Sequence, residues 1–217
     1  MPFLSFETFL NVPSLRAAFV ERVPSVRGDY DKLVALDELQ PYHEEVVGDL
    51  GFAWPQVRRA EQVHGCEIAE VGRDGGAELI AGVDGLMTDQ TGVCLGIYTA
   101  DCAAVFLADP VTGAIALLHS GRRGSEGGIV SKAVGKLSER YGVNPADLRV
   151  VVSPCIRPPH YETDFSLLVR ESALDSGVRS DHFQDEGVCT SDLKRFYSYR
   201  LEKGCTGRML ALMGRDK

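Results

Sequence analysis

The 217-residue chain carries 31 acidic against 23 basic side chains, a formal charge of −8, with 44% hydrophobic and 25% charged residues. That balance is globular and excludes a disordered, collagen-like or coiled-coil chain. No run of basic residues is longer than a pair such as Arg58-Arg59 or Arg122-Arg123, which argues against a nucleic-acid binder and favours small-molecule chemistry.

No segment reaches the roughly 20 apolar residues of a membrane helix. The start, Met1 to Glu7, lacks the basic region of a secretory leader, so a cytoplasmic location is expected. Six cysteines without a CxxC pair suit reduced thiols, or one reactive or ligating thiol, rather than a disulfide framework. Nothing divides the chain, and one domain over 1–217 is expected.

In chain order, the first 60 residues are irregular. The pattern predicts a helix over Leu33–Leu50, broken at Pro41, then a turn over Gly48–Pro55. Short β-branched runs bounded by Gly and Asp follow. They predict strands at Glu67–Val71, Val93–Tyr98, Ala103–Leu107, Ala114–Leu118, Leu148–Val152, Arg195–Arg200 and Arg208–Leu212. Asp109 to Gly113 reads as a hairpin turn. Ile129, Val130, Ala133, Val134 and Leu137 recur at helical spacing between Ser125 and Tyr141, with Gly142 as the stop. Phe165–Ser176 gives another helix. Strands outnumber helices and cluster, so the fold class expected is α+β, a single domain of mixed, mostly antiparallel β-sheets with flanking helices.

Three residues at strand ends or adjoining turns can ligate a soft metal: His64 in Gln62-Val63-His64-Gly65, Cys102 after Ala100-Asp101, and His119 before Ser120-Gly121. Two imidazoles and a thiolate suit zinc with a fourth position left open. Taken singly, His64 also suits a plain loop and Cys102 a buried small hydrophobe. The turn Ser120 to Ser125, with Arg123, Gly124 and Ser125 running into the expected helix start, offers backbone N–H groups and a guanidinium for phosphate; an ordinary turn with solvated arginines is the alternative. Asp101 is a candidate base or supporting carboxylate, and equally a turn cap. Arg200 and Arg208 flank the turn Leu201 to Gly207 and are candidates to clamp an anion or polar group; plain surface arginines are the alternative. Asp84 reads as a turn residue.

Together these segments resemble the laccase-domain family, called multicopper polyphenol oxidases and associated with purine nucleoside phosphorylase activity. The matching stretches are Gln62–Gly65, Asp84–Asp89, Thr99–Asp109, Leu118–Gly124, Ser153–Glu162, Cys189-Thr190 and Phe196–Leu212, in the family's order over roughly residues 60–213. The resemblance implies that His64, Cys102 and His119 form a metal-binding and catalytic site, and it implies the family's fold, similar to that of Cys-His hydrolases. Departures mark a divergent, shortened member. Arg122 stands where the family's glycine-rich turn has tryptophan, Pro159-His160 replaces a frequent cysteine pair, and the family's Gly-Gly-Val-Ser and Asn-Arg segments are missing from the first 60 residues.

The activity so implied is zinc-dependent phosphorolysis of adenosine- or inosine-type nucleosides, with adenosine deamination as a side activity. Partners would be a nucleoside and phosphate, with no nucleic acid or membrane, on a monomer or homodimer. Asp101 and Glu162 are the candidate proton carriers. The deaminase signature H-x-E with P-C-x-x-C is absent. Two alternatives stand: a Cys-His amidase acting on a cell-wall precursor, with Cys102 as nucleophile and His119 as base, and a non-catalytic binding relative. Copper oxidase chemistry is disfavoured, because five histidines are too few for a multicopper centre.

Overall fold

Residues on consecutive positions of the central strands are apolar because both of their faces are covered. In the computed structural model, which describes residues 3–4, 6, 9, 12, 14–26, 31–73 and 78–216, they belong to two sheets stacked between helices. The opening segment read for a leader lies largely outside these residues.

One sheet has the order β1 (Phe3–Leu4), β2 (Leu15–Val20), β12 (Met209–Arg215), β7 (Cys94–Thr99), β3 (Val57–Ala60), β5 (Leu79–Ile80). The other runs β11 (Phe183–Asp185), β10 (Arg149–Val152), β8 (Ala103–Ala108), β9 (Ile115–Ser120), β6 (Gly85–Thr88), β4 (Ile68–Glu70). Antiparallel pairs make up most of both sheets, and β3, β4, β5 and β11 are joined to them in parallel.

The alternation of β8 shows the layers. Ala104, Phe106 and Ala108 join Leu95, Ile97, Leu117 and Met213 between the sheets. Ala103, Val105 and Leu107 face the other way, against α3 (Ile129–Tyr141) and α4 (Phe165–Asp175) through Val130, Val134, Phe165 and Val169. The first sheet's outer face packs Ala18, Val20, Leu210 and Leu212 on Val46 and Val47 of α1 (Lys32–Asp49). Helix, sheet, sheet and helices thus form four layers, and their buried strands read as continuous apolar runs.

The expected α+β class with mixed, mostly antiparallel sheets is what the structure shows; several boundaries differ. Pro41 does not break α1. It lies on the exposed face, where the carbonyl it leaves unpaired meets water, and Ala35, Leu39, His43, Val46 and Val47 bury the opposite face on both sides of it. The helix expected from Ser125 is two: α2 (Arg122–Glu126) and α3, parted at Gly128, whose φ of +74° a side chain would resist. Gly142 ends α3 in the left-handed conformation, as expected.

Arg195–Arg200 is not a strand. Phe196 and Tyr197 are buried side by side, and their backbone pairs with no ladder; the Tyr197 N–H instead meets the Met209 sulfur at 3.0 Å. β2, β3, β5, β6 and β11 escape the sequence patterns because they are short, carry charges or begin at a turn-like Asp-Gly. Among the described residues no helix is long and apolar enough to cross a membrane.

Candidate functional site

The site forms where three chain crossings meet. The segment after β3 leaves the first sheet for the second and carries His64. The turn between β7 and β8 makes the same crossing and ends on Cys102. β9 brings His119 beside them, paired in register with Ala104 of β8. The ligating atoms of His64, Cys102 and His119 lie within 4.8 Å of one another. The two imidazole rings stand edge to face, with centroids 4.8 Å apart.

The organiser of this arrangement is Asp84, which the sequence suggests only as a turn residue. Fully buried just ahead of β6, its carboxylate accepts the backbone N–H groups of Val63, His64 and Gly65 at 3.1, 2.8 and 2.7 Å. Those bonds fix the 62–65 loop, in which Gln62 and His64 adopt φ of +65° and +60°, conformations non-glycine residues hold only when over-determined. The same carboxylate takes the Nδ1–H of His119 at 2.8 Å, so Nε2 is the free ligand or base. No local signal could have found this pairing, since the partners are 35 residues apart.

Charge follows from these contacts. Burial opposes ionisation of Asp84, but the bonds to His119 and to backbone N–H groups hold it below the ordinary carboxylate range. Burial likewise disfavours the Cys102 thiolate and the His119 imidazolium. Hydrogen bonding to the two histidines nonetheless pulls the thiol down to about 6, and the bonds to Asp84 and Cys102 raise His119 to about 9. The pair is therefore thiolate and imidazolium near neutrality.

Close approach is built in as well. A Cβ on Gly121 would sit 2.5 Å from the Cys102 sulfur, so a glycine is required where α2 begins.

The donor set fits a metal ion. Tetrahedral zinc separates nitrogen and sulfur ligands by roughly 3.3 to 3.7 Å, a small contraction of the observed triplet, and neutral imidazole with thiolate is its preferred chemistry. His64, Cys102 and His119 can hold the ion, with Asp84 behind His119 as the carboxylate that orients a ligating histidine. Among the described residues no other cluster of three such ligands exists.

A cavity of about 700 Å³ opens over the triplet. Gln62, Tyr98, Tyr161 and Tyr199 line it, as do Arg123, Arg200 and Arg208 of the expected phosphate binders. Gly124 and Ser125 are not brought to it: both are buried inside α2, and the Ser125 hydroxyl bonds the Ser120 hydroxyl and the Gly121 carbonyl, each at 2.9 Å.

Asp101 lines the cavity too, at φ +86°, with both oxygens engaged. One accepts the Thr190 hydroxyl at 2.7 Å, the other the Arg200 backbone N–H at 2.7 Å. It braces the turn that carries Tyr199 and Arg200. Glu162 stands at the rim, 3.3 Å from Arg200 and 3.6 Å from Arg122. Lys32, Tyr98, Tyr199 and Lys203 also line the cavity and are not singled out as site residues by the sequence; Lys32 and Tyr98 lie outside the family-like stretches, and Tyr199 and Lys203 lie within one that marks only Arg200 and Arg208.

Comparison with known proteins agrees with this picture. Residues 37–168 and 161–216 match the family described as multi-copper polyphenol oxidoreductase laccase. The chain is 33% identical over 193 residues to a Geobacillus stearothermophilus protein named purine nucleoside phosphorylase YlmD, covering 71% of this chain and 70% of that one. It is 32% identical over 189 residues to a Deinococcus radiodurans protein named purine nucleoside phosphorylase, covering 76% and 72%.

The crystal structure of Geobacillus stearothermophilus YlmD superposes with a TM-score of 0.82 at 27% identity over 98% of this chain and 94% of that one. That of the Bacillus licheniformis hypothetical protein YfiH gives 0.81 at 23%, covering 99% of both chains, a likeness of fold. With the sheets, the His-Cys-His triplet and the sequence matches in agreement, the chain belongs to the multi-copper polyphenol oxidoreductase laccase family, as a divergent member.

Proposed function

We propose that this protein is a zinc-dependent purine nucleoside phosphorylase, acting on adenosine- or inosine-type nucleosides. The observation that carries the reading is the ionised, Asp84-oriented His64–Cys102–His119 triplet at the floor of a cavity whose walls are cationic and aromatic. Relatives named as purine nucleoside phosphorylases supply the reaction class.

In phosphorolysis an oxygen of inorganic phosphate attacks C1′ as the C1′–N9 bond breaks, and the electron pair leaves with the base, which takes up a proton. Arg123, with Arg200, holds the inorganic phosphate beside the sugar, replacing its hydration by fixed guanidinium donors, and Arg208 adds a further cation to the cavity wall. Tyr161 and Tyr199 offer ring faces for the purine. Asp101 keeps Arg200 in place, and Glu162 at the rim is the carboxylate to test as proton carrier. A zinc ion on the triplet would supply Lewis acidity and, with phosphate absent, an activated water for deamination.

A second reading has one observation in its favour. Cys102, His119 and Asp84 stand in the order nucleophile, base and orienting carboxylate, the arrangement of a Cys-His hydrolase. A thiolate that ligates zinc is not free to attack, so metal separates the two readings.

The deciding experiment incubates zinc-analysed protein with adenosine and with inosine, with and without phosphate, beside Cys102→Ala, and identifies products by mass spectrometry. Free base and ribose 1-phosphate, dependent on phosphate and lost in the variant, are expected. Inosine formed from adenosine without phosphate would show deamination. No product from either nucleoside overturns the phosphorylase reading, and amidase activity abolished by zinc would establish the hydrolase.

A further inference from the structure

The cavity holds more positive charge than a neutral nucleoside and one phosphate require. Lys32, Arg122, Arg123, Arg200, Lys203 and Arg208 line it against a single carboxylate, Asp101. That carboxylate is already committed to Thr190 and the Arg200 N–H. The chain as a whole carries −8, so this concentration is a local arrangement and not a reflection of basic composition.

The cations divide by what neutralises them. Arg122 and Arg200 share Glu162, and Arg122 also pairs with Glu126 at 2.9 Å. Lys32, Arg123, Lys203 and Arg208 have no ion-pair partner among the described residues. Arg208 uses Nη1 on the carbonyls of Thr206 and Gly207, both at 2.8 Å, leaving the rest of its fork free. Glu61, the acid whose charge reaches Lys32, gives its carboxylate to the Gly82 N–H at 2.7 Å. Partial burial and the charge of Arg208 both hold the Lys32 ammonium below its ordinary range. Like charges lining one partly buried cavity are unfavourable until an anion joins them.

We infer that the substrate is itself anionic, a purine nucleoside 5′-monophosphate whose 5′-phosphate bridges Lys32 and Arg208 while Arg123 holds the inorganic phosphate near the triplet. The inference rests on the phosphorylase reading and narrows its substrate class. Its chemistry balances without another reactant. The inorganic phosphate oxygen bonds to C1′, the C1′–N9 pair leaves with the base, the base takes up a proton, and the sugar product is ribose 1,5-bisphosphate. About 700 Å³ is room enough for a nucleotide and a phosphate together. A phosphate dianion satisfies one ammonium and one guanidinium fork, as a neutral 5′-hydroxyl cannot.

The test compares AMP with adenosine on the zinc-loaded full chain at saturating phosphate, reading adenine and sugar phosphate by mass spectrometry. One charge-assisted contact predicts a kcat/KM about tenfold or more higher for AMP. Lys32→Met, in the first turn of α1, should bring the AMP to adenosine ratio close to unity, and Arg208→Met should act in the same direction. Equal use of the two substrates by the native protein overturns the inference and leaves phosphorolysis standing. A Lys32→Met effect confined to the KM for inorganic phosphate also overturns it, by assigning Lys32 to the co-substrate. If neither compound is turned over, the phosphorylase reading fails and calorimetry decides the subsite: tighter binding of AMP than adenosine, lost in Lys32→Met, sustains it, and equal binding removes it.

Discussion

At the scale of single residues the site depends on one buried carboxylate. Asp84 satisfies three backbone N–H groups and His119 at once, so Asp84→Asn should lower zinc affinity by about 10- to 100-fold. It should also cost roughly 3 kcal/mol of stability, because buried donors lose a charged acceptor; metal titration and urea unfolding measure the two. The folded carboxyl ionises below its usual range. Its contribution is therefore present above about pH 3.9 and lost as pH falls through the lower folded value.

The same variant probes Cys102. In metal-free protein, alkylation of this thiol should follow a midpoint near 6 rather than the free-thiol value of about 8.5. In Asp84→Asn the midpoint should rise, because His119 would lose the carboxylate that keeps it charged. An unshifted midpoint would remove Asp84 from the electrostatics of the site.

At the scale of elements, the short helix α2 and the turns around it have to approach the His64–Cys102–His119 triplet closely. Gly121 precedes α2 with φ of −90°, an ordinary value, so what requires glycine is the Cys102 sulfur and not the backbone. Gly121→Ala should displace the thiol and abolish zinc binding while leaving the far-ultraviolet circular dichroism of the sheets unchanged. Retained stoichiometric zinc would show that the sulfur can move aside. The opposite wall is a turn, not a strand, and it is held from within. Glu202 accepts the Ser198 N–H at 3.0 Å and the Arg22 guanidinium at 2.7 Å. Tyr199, Arg200 and Lys203 are thereby presented to the cavity by a pinned loop, the usual way a rigid scaffold carries binding groups.

At the scale of the molecule, the layered packing places one histidine where it cannot ionise. His43 of α1 is fully buried against the Tyr98 ring with neither ring nitrogen bonded. Burial alone lowers it to about 3. The unfolded chain takes up this proton near pH 6.5 and the folded chain does not, so stability falls as pH drops below 6.5. The loss from this group should reach about 2 kcal/mol at pH 5. His43→Leu, close in volume, should remove that acid-dependent part from urea unfolding measured at pH 7.5 and pH 5. An unchanged pH dependence would place the acid sensitivity elsewhere.

The sequence by itself determined those features whose physics is local. Apolar runs bounded by Gly and Asp marked β7, β8, β9 and β10, since a strand covered on both faces must be apolar throughout. The 3.6-residue pattern and Gly142 marked α3, and the residue types of His64, Cys102 and His119 marked a set able to ligate a soft metal. Only the tertiary structure decided what depends on distant partners. The burial of both flanks of Pro41 kept α1 whole. The collision awaiting any side chain at Gly121 and the pairing of Asp84 with His119 arise from segments that meet only after the two sheets stack. The gathering of Lys32 and Arg208 around one cavity has the same origin: their charges are visible in the chain, but only the fold brings the start of the first helix and the approach to the last strand to the same cavity.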